Sequence, residues 1–387
     1  MNSKMKILQV IPKLGYGGAE TGCYDLAHYL PENNCSSYII TSGGPLIKYI
    51  KKGKVRLFRL PVQSKNPILM ILNFVIITLI ILFFNISIVH ARSRAPAWSC
   101  YCATKITRRK FVTTFHGTYN FGNSLKKYYN SVMVRSDLVI AGSNFIFSHI
   151  HKNYEKFVNN KKRRFLVIFR GINTEYFNER NVSQRKLKNQ IKEWEIDINK
   201  FIILLPGRLT NWKGHTVFIE AINILNQQSD TKPFTAIILG NDQGRKVYYK
   251  KLLSLVEKYR LKQKIKFISF CKEMPVAYIL ANVIVSASIE PEAFGRVSIE
   301  AQSMEKPIIA SDIGGSKDTI INDKTGFFFK SEDPVSLAEK LKHVSNLDHI
   351  TLKTMGKEGR KNILKKFDVE KMCNSTFIEY KKLIVNN

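Results

Sequence analysis

The amino-acid sequence predicts an α/β protein of two domains, each a parallel β-sheet covered by helices on both faces. Length is the first observation behind this: 387 residues exceed what one core of about 100–200 residues fills. Second, short continuous apolar runs alternate with helix-length segments, as in strands buried on both sides. Third, the alternation stops at a polar stretch, NVSQRKLKNQIKEWEIDINK (181–200), and then restarts. Residues 1–180 are therefore expected to form the first domain and 181–367 the second, with a helix over about 368–387 available to pack back on the first.

In order, the expected strands of the first half are KILQVI (6–11), SYIIT (37–41), VRLFRL (55–60), ISIVH (86–90), KFVTTF (110–115), LVIAG (138–142) and FLVIF (165–169). Those of the second are FIILLPG (201–207), FTAIILG (234–240), IKFIS (265–269), VIVSAS (283–288), KPIIAS (306–311) and TGFFF (325–329). One segment breaks the pattern. PILMILNFVIITLIILFF (67–84) has 18 residues without a formal charge, long enough to span a bilayer. A strand follows almost at once, however, and a span would put strands of one sheet on opposite sides of a membrane. Two readings stay open: a helix buried in the flank of the sheet, and a helix lying in a membrane interface.

Ligands of open α/β sheets bind beyond the carboxyl ends of the strands, so the loops there are the candidate sites. After the first strand, PKLGYGGAET (12–21) places Gly17 and Gly18 just before a helix, where a close backbone approach to an anion or hydroxyl is possible. The same glycines suit a plain tight turn, and the full GxGxxG pattern is absent. HARSRAPAW (90–98) and HGTY (116–119) follow two further strands and should line one crevice. There Arg92 and Arg94 could grip a phosphate or carboxylate of an acceptor, and His116 could meet a sugar hydroxyl or a reacting proton.

In the second half, LPGRLTNWKGH (205–215) sets Arg208 and Lys213 on one strand–loop–helix turn. Two cations so placed match a diphosphate, the guanidinium as a fork and the ammonium as a point charge. No GxxxxGK[ST] is present, which excludes a P-loop. EPEAFGRVSIE (290–300) puts Glu292 in a loop and Glu300 just over one turn into the next helix. Both carboxylates could face one polyol, accepting from vicinal hydroxyls, while N–H groups near Gly295 take phosphate oxygens.

Charge is the unusual property. Lys and Arg number 61 against 30 Asp and Glu, net +31, and residues 1–180 hold 27 basic against 7 acidic residues. A field of that sign attracts polyanions such as nucleic acid, anionic headgroups or phosphorylated glycans. The clusters KKGKVRLFR (51–59) and NKKRRFLVIFR (160–170) concentrate it. The six cysteines include no CxxC pair, so neither a zinc site nor a disulfide framework is expected. MKILQVI reads as a strand rather than a leader, which points to the cytoplasm.

The segments GYGGAE (15–20), HG (116–117), GRLTNWKG (207–214) and EPEAFGRVSIEAQ (290–302), in this order and spacing, resemble retaining glycosyltransferases of family 4. The resemblance covers nearly the whole chain. It implies the GT-B fold, two Rossmann-like domains whose parallel sheets face a central cleft. It also implies a nucleotide-sugar donor, a UDP- or GDP-sugar, held by the second domain. Arg208 and Lys213, with Gly207 beside them, would bind the diphosphate, and Glu300 the ribose. Glu292, Phe294 and Gly295, followed by Arg296 and Val297, would address the donor sugar and its phosphate. His116 would contact the sugar from the first domain, with Gly17 and Gly18 near the phosphate. Catalysis would then rest on His116, Arg208, Lys213 and Glu292. No metal or other cofactor is implied, because cations and helix N-termini stabilise the departing diphosphate.

Ser269-Phe270-Cys271 stands where many relatives carry a glycine, and Lys317 lies in the turn SDIGGSKDTI (311–320), which leaves the base open. The wording of HARSRAPAW and LTNWKG looks closest to bacterial members that build envelope glycans such as lipopolysaccharide. It implies a glycan or lipid-linked acceptor and a place on the inner face of the cytoplasmic membrane, drawn to anionic lipid. Two other readings are a nucleic-acid-binding protein, on charge alone, and a non-catalytic relative that only binds nucleotide-sugar. The first leaves Glu292 and Glu300 without purpose, so no nucleic-acid partner is expected.

Overall fold

The computed structural model describes residues 4–119, 122–160 and 163–385. The chain forms two compact units, Met1–Gly171 with Val369–Asn387, and Ile172–Asp368.

The first unit runs β1 (Lys6–Val10), α1 (Gly18–Glu32), β2 (Ser36–Thr41), β3 (Val55–Arg59), α2 (Pro67–Phe84), β4 (Ile88–Ala91), α3 (Arg94–Thr107), β5 (Lys110–Phe115), α4 (Ser124–Asn130), β6 (Leu138–Ala141), α5 (Asn144–Val158) and β7 (Arg164–Val167). Its seven parallel strands are ordered β3-β2-β1-β4-β5-β6-β7. The second unit holds α6 (Gln184–Trp194), β8 (Phe201–Pro206), α7 (His215–Asn226), β9 (Phe234–Leu239), α8 (Lys246–Lys258), β10 (Ile265–Ile268), α9 (Met274–Leu280) and β11 (Val283–Ser286). It continues with α10 (Arg296–Ser303), β12 (Ile308–Ser311), α11 (Ser316–Thr319), β13 (Gly326–Phe329), α12 (Pro334–Asn346) and α13 (His349–Lys366). Its order is β10-β9-β8-β11-β12-β13, again parallel. Every apolar run in the sequence carries one of these strands. Strand order reverses between β1 and β4 in one sheet and between β8 and β11 in the other, and these are the positions where a crevice opens at the strand ends.

The chain enters the second unit at Ile172, earlier than the expected boundary after residue 180. Hydrogen bonds explain the shift: the Ile172 N–H donates to the Phe367 carbonyl at 2.9 Å, Thr174 Oγ1 donates to Asp368 at 2.6 Å, and Ser303 Oγ donates to the Phe177 carbonyl at 2.7 Å. The polar stretch 181–200 is no linker. It folds as α6, anchored by buried Trp194. A last helix, α14 (Val369–Val385), belongs to the first unit and packs on α1. Its Phe377, Tyr380 and Leu383 share a core with Ile7, Leu26 and Val112.

Helix α2 spans the uncharged segment from end to end, capped by Asn66, whose side chain accepts from the Ile68 and Leu69 N–H groups, and by Asn85 in the left-handed region. The reading of it as a helix buried in the sheet's flank is corrected by the structure. Its buried residues are Asn73, Ile77, Ile80 and Ile81, one face only, while Phe83 is 83% and Ile68 75% exposed. It is long and apolar enough to cross a membrane by length and composition. Of the two basic clusters, residues 51–59 lie on the surface around β3, whereas Lys161 and Lys162 lie outside the described residues.

Candidate active site

The second sheet's reversal point gathers the predicted donor residues. Beyond β8 the chain passes Gly207 and Arg208, then a single 3-10 turn, Asn211–Lys213, and enters α7 through Gly214. Gly214 has φ +69°, and a Cβ there would collide with the Ala287 carbonyl oxygen beyond β11. The glycine thus lets the two strand-end loops touch. Beyond β11 the loop runs to Gly295, φ +81°, which opens α10. A third loop, after β12, closes on it: Gly315 N–H donates to the Glu292 carbonyl at 2.7 Å. A side chain at Gly314 or Gly315 would strike the backbone of 291–294.

These loops bring Lys213 and Glu292 into direct contact. Nζ lies 2.7 Å from Oε1, and both side chains are nearly buried. Ser288 Oγ also donates to that oxygen at 2.5 Å. Burial disfavours ionisation of Glu292, but the Lys213 charge and the hydrogen bonds from Lys213, Ser288 and Ser286 outweigh it and hold its pKa below the ordinary value. Lys213 also lies 4.4 Å from the centre of the Trp212 ring. Arg208, by contrast, is exposed and has no ion-pair partner among the described residues. The cations are thus unequal, one held in place and one available.

Glu300 is buried one turn into α10. Tyr278 of α9 donates its hydroxyl to Oε2 at 2.7 Å, and Arg296 Nε lies 2.6 Å from Oε1. Burial, then the neighbouring Glu300 charge, keeps the Tyr278 phenol protonated well above its usual range. Each of the paired acids thus has its own protein partners, Lys213 and Ser288 for Glu292 and Tyr278 and Arg296 for Glu300. The Phe294 side chain is turned into the core against Phe367, with ring centres 5.7 Å apart, so only its main chain can serve a ligand. Val297 is half-buried in the first turn of α10, where helix geometry leaves N–H groups without intrahelical partners.

The remaining predicted residues belong to the first unit. Its reversal point opens a cavity of about 530 Å³ beyond β1, β4 and β5, lined by Lys13, Glu20, Arg92, Arg94, His116 and Tyr119 among others. Arg92 is largely spent inside the fold, its Nε donating to Gln9 at 2.8 Å with 6% of the residue exposed. Arg94 donates to Asn130 at 3.0 Å and stacks 4.3 Å above the Tyr119 ring. Gly17 and Gly18 lie at the start of α1, where a Cβ would strike Glu20 and Arg170 respectively.

His116 receives a hydrogen bond that sequence reasoning missed. Arg170 Nη2 lies 2.6 Å from its Nδ1 and also donates to its carbonyl at 3.1 Å. A guanidinium can only donate, so Nδ1 is the acceptor and Nε2 carries the proton. That Nε2 has no partner among the described residues. Burial, then Arg170 and Arg92, pushes the imidazole pKa well below its usual value. His116, one of the residues lining the cavity, is thus a neutral hydrogen-bond donor with its Nε2 buried. Arg170, Tyr278 and Ser288 carried no local signal; each is remote in sequence from its partner or sits in an ordinary strand end. Among the described residues no group of three or more His, Cys, Asp or Glu could hold a metal ion.

Two parallel-sheet α/β units, each with its loops gathered at a reversal point, define the GT-B class of fold, and comparison with known chains makes the class specific. Residues 16–176 match the family described as Glycosyltransferase Family 4, and residues 186–362 match Glycosyl transferases group 1. A glycosyltransferase from Rickettsia africae superposes with TM-score 0.90 at 38% identity, with all of both chains covered. The Anabaena Alr3699/HepE structure with UDP-glucose gives 0.80 at 19% identity, over 99% of this chain and 100% of that one. The chain belongs to glycosyltransferase family 4. Among curated proteins it is similar to the putative glycosyltransferase EpsD of Bacillus subtilis, 28% identical over 196 residues, which are 50% of this chain and 49% of that one. The chain spans about half the length of the curated relatives it matches.

Proposed function

We propose that the protein transfers a sugar from a nucleoside-diphosphate sugar to a hydroxyl of a glycan or lipid-linked acceptor, with retention of configuration, in the building of a bacterial envelope polysaccharide. The observation that carries this reading is the Lys213–Glu292 pair at the reversal point of the second sheet, with exposed Arg208 on the same turn. In the reaction the bond from the anomeric carbon to the diphosphate oxygen breaks and a bond to the acceptor oxygen forms on the same face. The acceptor's proton leaves with the nucleoside diphosphate or solvent. Negative charge grows on the leaving oxygen, where Arg208, Lys213 and the first turn of α10 would stabilise it without a metal. Lys213 has three protons and can hold Glu292 and a phosphate oxygen together. Glu292 would orient the sugar, Glu300 would accept from ribose hydroxyls, and His116 Nε2 would donate to a sugar oxygen.

Solved relatives support the donor: Anabaena Alr3699/HepE is described in complex with UDP and glucose. An envelope role is supported by the name of a capsular polysaccharide biosynthesis glycosyltransferase, CapM of Staphylococcus aureus, 39% identical over 95 residues. A lipid-linked acceptor would place the work at the inner face of the cytoplasmic membrane. Nucleic acid fits less well, since it would leave buried Glu300 and the Lys213–Glu292 pair without a ligand role. The test is release of nucleoside diphosphate from a panel of UDP-, GDP- and ADP-sugars by the purified protein. Release from one donor is expected. Donor binding without release, even with lipid-linked acceptor, would make the protein a non-catalytic relative; no binding at all would reject the reading.

A further inference from the structure

The outer face of α2 is apolar along its whole length. Ile68, Leu72, Val75, Leu79 and Phe83 recur every three or four residues, so they form one stripe, and all are exposed. Near the C-terminal end the stripe widens into an open groove of about 650 Å³ lined only by Ile76, Leu79, Ile80, Leu82, Phe83 and Phe84. Nothing among the described residues covers it. Contiguous apolar surface of this kind marks an interaction site.

The charge around it identifies the occupant. From Asn33 to Ser136 the sequence contains no Asp or Glu and sixteen Lys and Arg. Several cations, from this segment and from β1, border the last turn of α2. The Arg56 guanidinium lies 4.7 Å over the Phe84 ring, Lys6 Nζ donates to the Phe84 carbonyl at 2.9 Å, and Arg109 donates to Asn85 at 2.7 Å. Helix α3, packed along α2, ends in exposed Lys105, Ile106 and Arg108. A second copy of the chain would bring the same acid-free surface against this one and be repelled. An anionic bilayer supplies both complements, an apolar layer beneath a negative plane.

A spanning orientation conflicts with the way α2 is tied down. Asn73 donates to the Pro61 carbonyl at 3.2 Å, and Ser99 of α3 donates to the Met70 carbonyl at 2.8 Å. β4 then begins at Ile88, paired with both β1 and β5. We infer that the outer face of α2 docks on an anionic lipid bilayer, the helix lying in the interface plane with its outer side chains among the upper acyl chains and the flanking cations on the headgroups. The inference stands on the first unit and does not depend on the donor chemistry of the second.

The full-length chain is tested by flotation with phosphatidylcholine vesicles, with and without about one quarter phosphatidylglycerol, at about 0.1 and 1 M NaCl. Binding to the anionic vesicles that high salt weakens without abolishing is expected, and the Trp of a Phe83→Trp variant should shift its emission to the blue on binding. Leu79→Asp with Phe83→Asp, both at exposed positions, should lower vesicle partitioning about tenfold or more. Circular dichroism and nucleoside diphosphate release should be unchanged. Failure of the wild type to float, equal binding to neutral vesicles, or binding that the Asp pair leaves intact would each overturn the proposal. So would self-association of the wild type that the Asp pair abolishes in the absence of vesicle binding, since a second copy would then be the occupant.

Discussion

Lys213 and Arg208 sit on the same turn, yet their loss should read differently. On the proposed donor chemistry either alanine variant would remove a charge-assisted contact to the departing diphosphate, an expected loss of about 2–4 kcal/mol in transition-state stabilisation. Lys213→Ala also strands Glu292, a nearly buried carboxylate, without its cation, which should cost about 3 kcal/mol of stability. Arg208→Ala should leave the melting temperature close to that of wild type. Adding Glu292→Gln to Lys213→Ala should recover stability but not turnover. Equal melting temperatures for the two single variants would remove the ion pair as a structural element of the site. His116 offers a second residue-level test. Burial and Arg170 hold its imidazole neutral, so donor turnover should show no inflection near pH 6.5. Arg170→Met removes one cation facing the ring, and a His-like inflection should move up toward pH 6.5. A wild-type inflection near pH 6.5 that disappears in His116→Gln would show instead that the ring titrates.

At the level of elements, the glycine junctions decide whether the loops can meet. Gly214→Ala puts a methyl group into the Ala287 carbonyl in a left-handed backbone position, and should destabilise the second unit by about 3 kcal/mol and abolish turnover. Gly244→Ala is the control. It has φ +82° with nothing within 4 Å of the added carbon, so only the backbone penalty of about 1 kcal/mol remains. Equal unfolding midpoints in urea would contradict the close approach. The strands were legible because most are short, largely apolar runs, and the candidate loops because they follow strands. Helix α2 was legible in extent but not in placement. Every one of its faces is apolar, so periodicity holds no information on which side turns inward; Asn73, on the inner face, is the one polar clue besides Thr78. The partners of the predicted site residues, Tyr278 for Glu300 and Arg170 for His116, are joined by tertiary folding alone, and local motif spacing cannot announce them.

Across the whole molecule, buried histidines set an acid limit. His90 and His116 in the first unit have pKa values depressed well below normal by burial first and then by nearby arginines, and burial lowers His215 in the second to about 4. In the unfolded chain these rings titrate near 6.5. Their neutral burial therefore contributes fully above that pH and is lost as pH falls toward the folded values. Each ring then costs about 1.4 kcal/mol per pH unit. Carboxylates such as Glu292, with a lowered pKa, stay ionised in this window. The first unit also holds His28 and His149, whose pKa values burial lowers, so thermal unfolding followed from pH 7.5 to 5 should show it losing stability more steeply than the second, and a flat profile would contradict the assignment. The same unit also has a peculiar birth order. Its core is completed by Phe377, Tyr380 and Leu383 of α14, which leave the ribosome after the entire second unit. The second unit, closed at Asp368, can therefore mature first although it is encoded later. Until α14 has emerged the nascent chain carries a first sheet with one flank open, and with it the uncovered stripe of α2. Chaperone protection should thus be needed longer for the first unit than for the second, although most of the first is made before it.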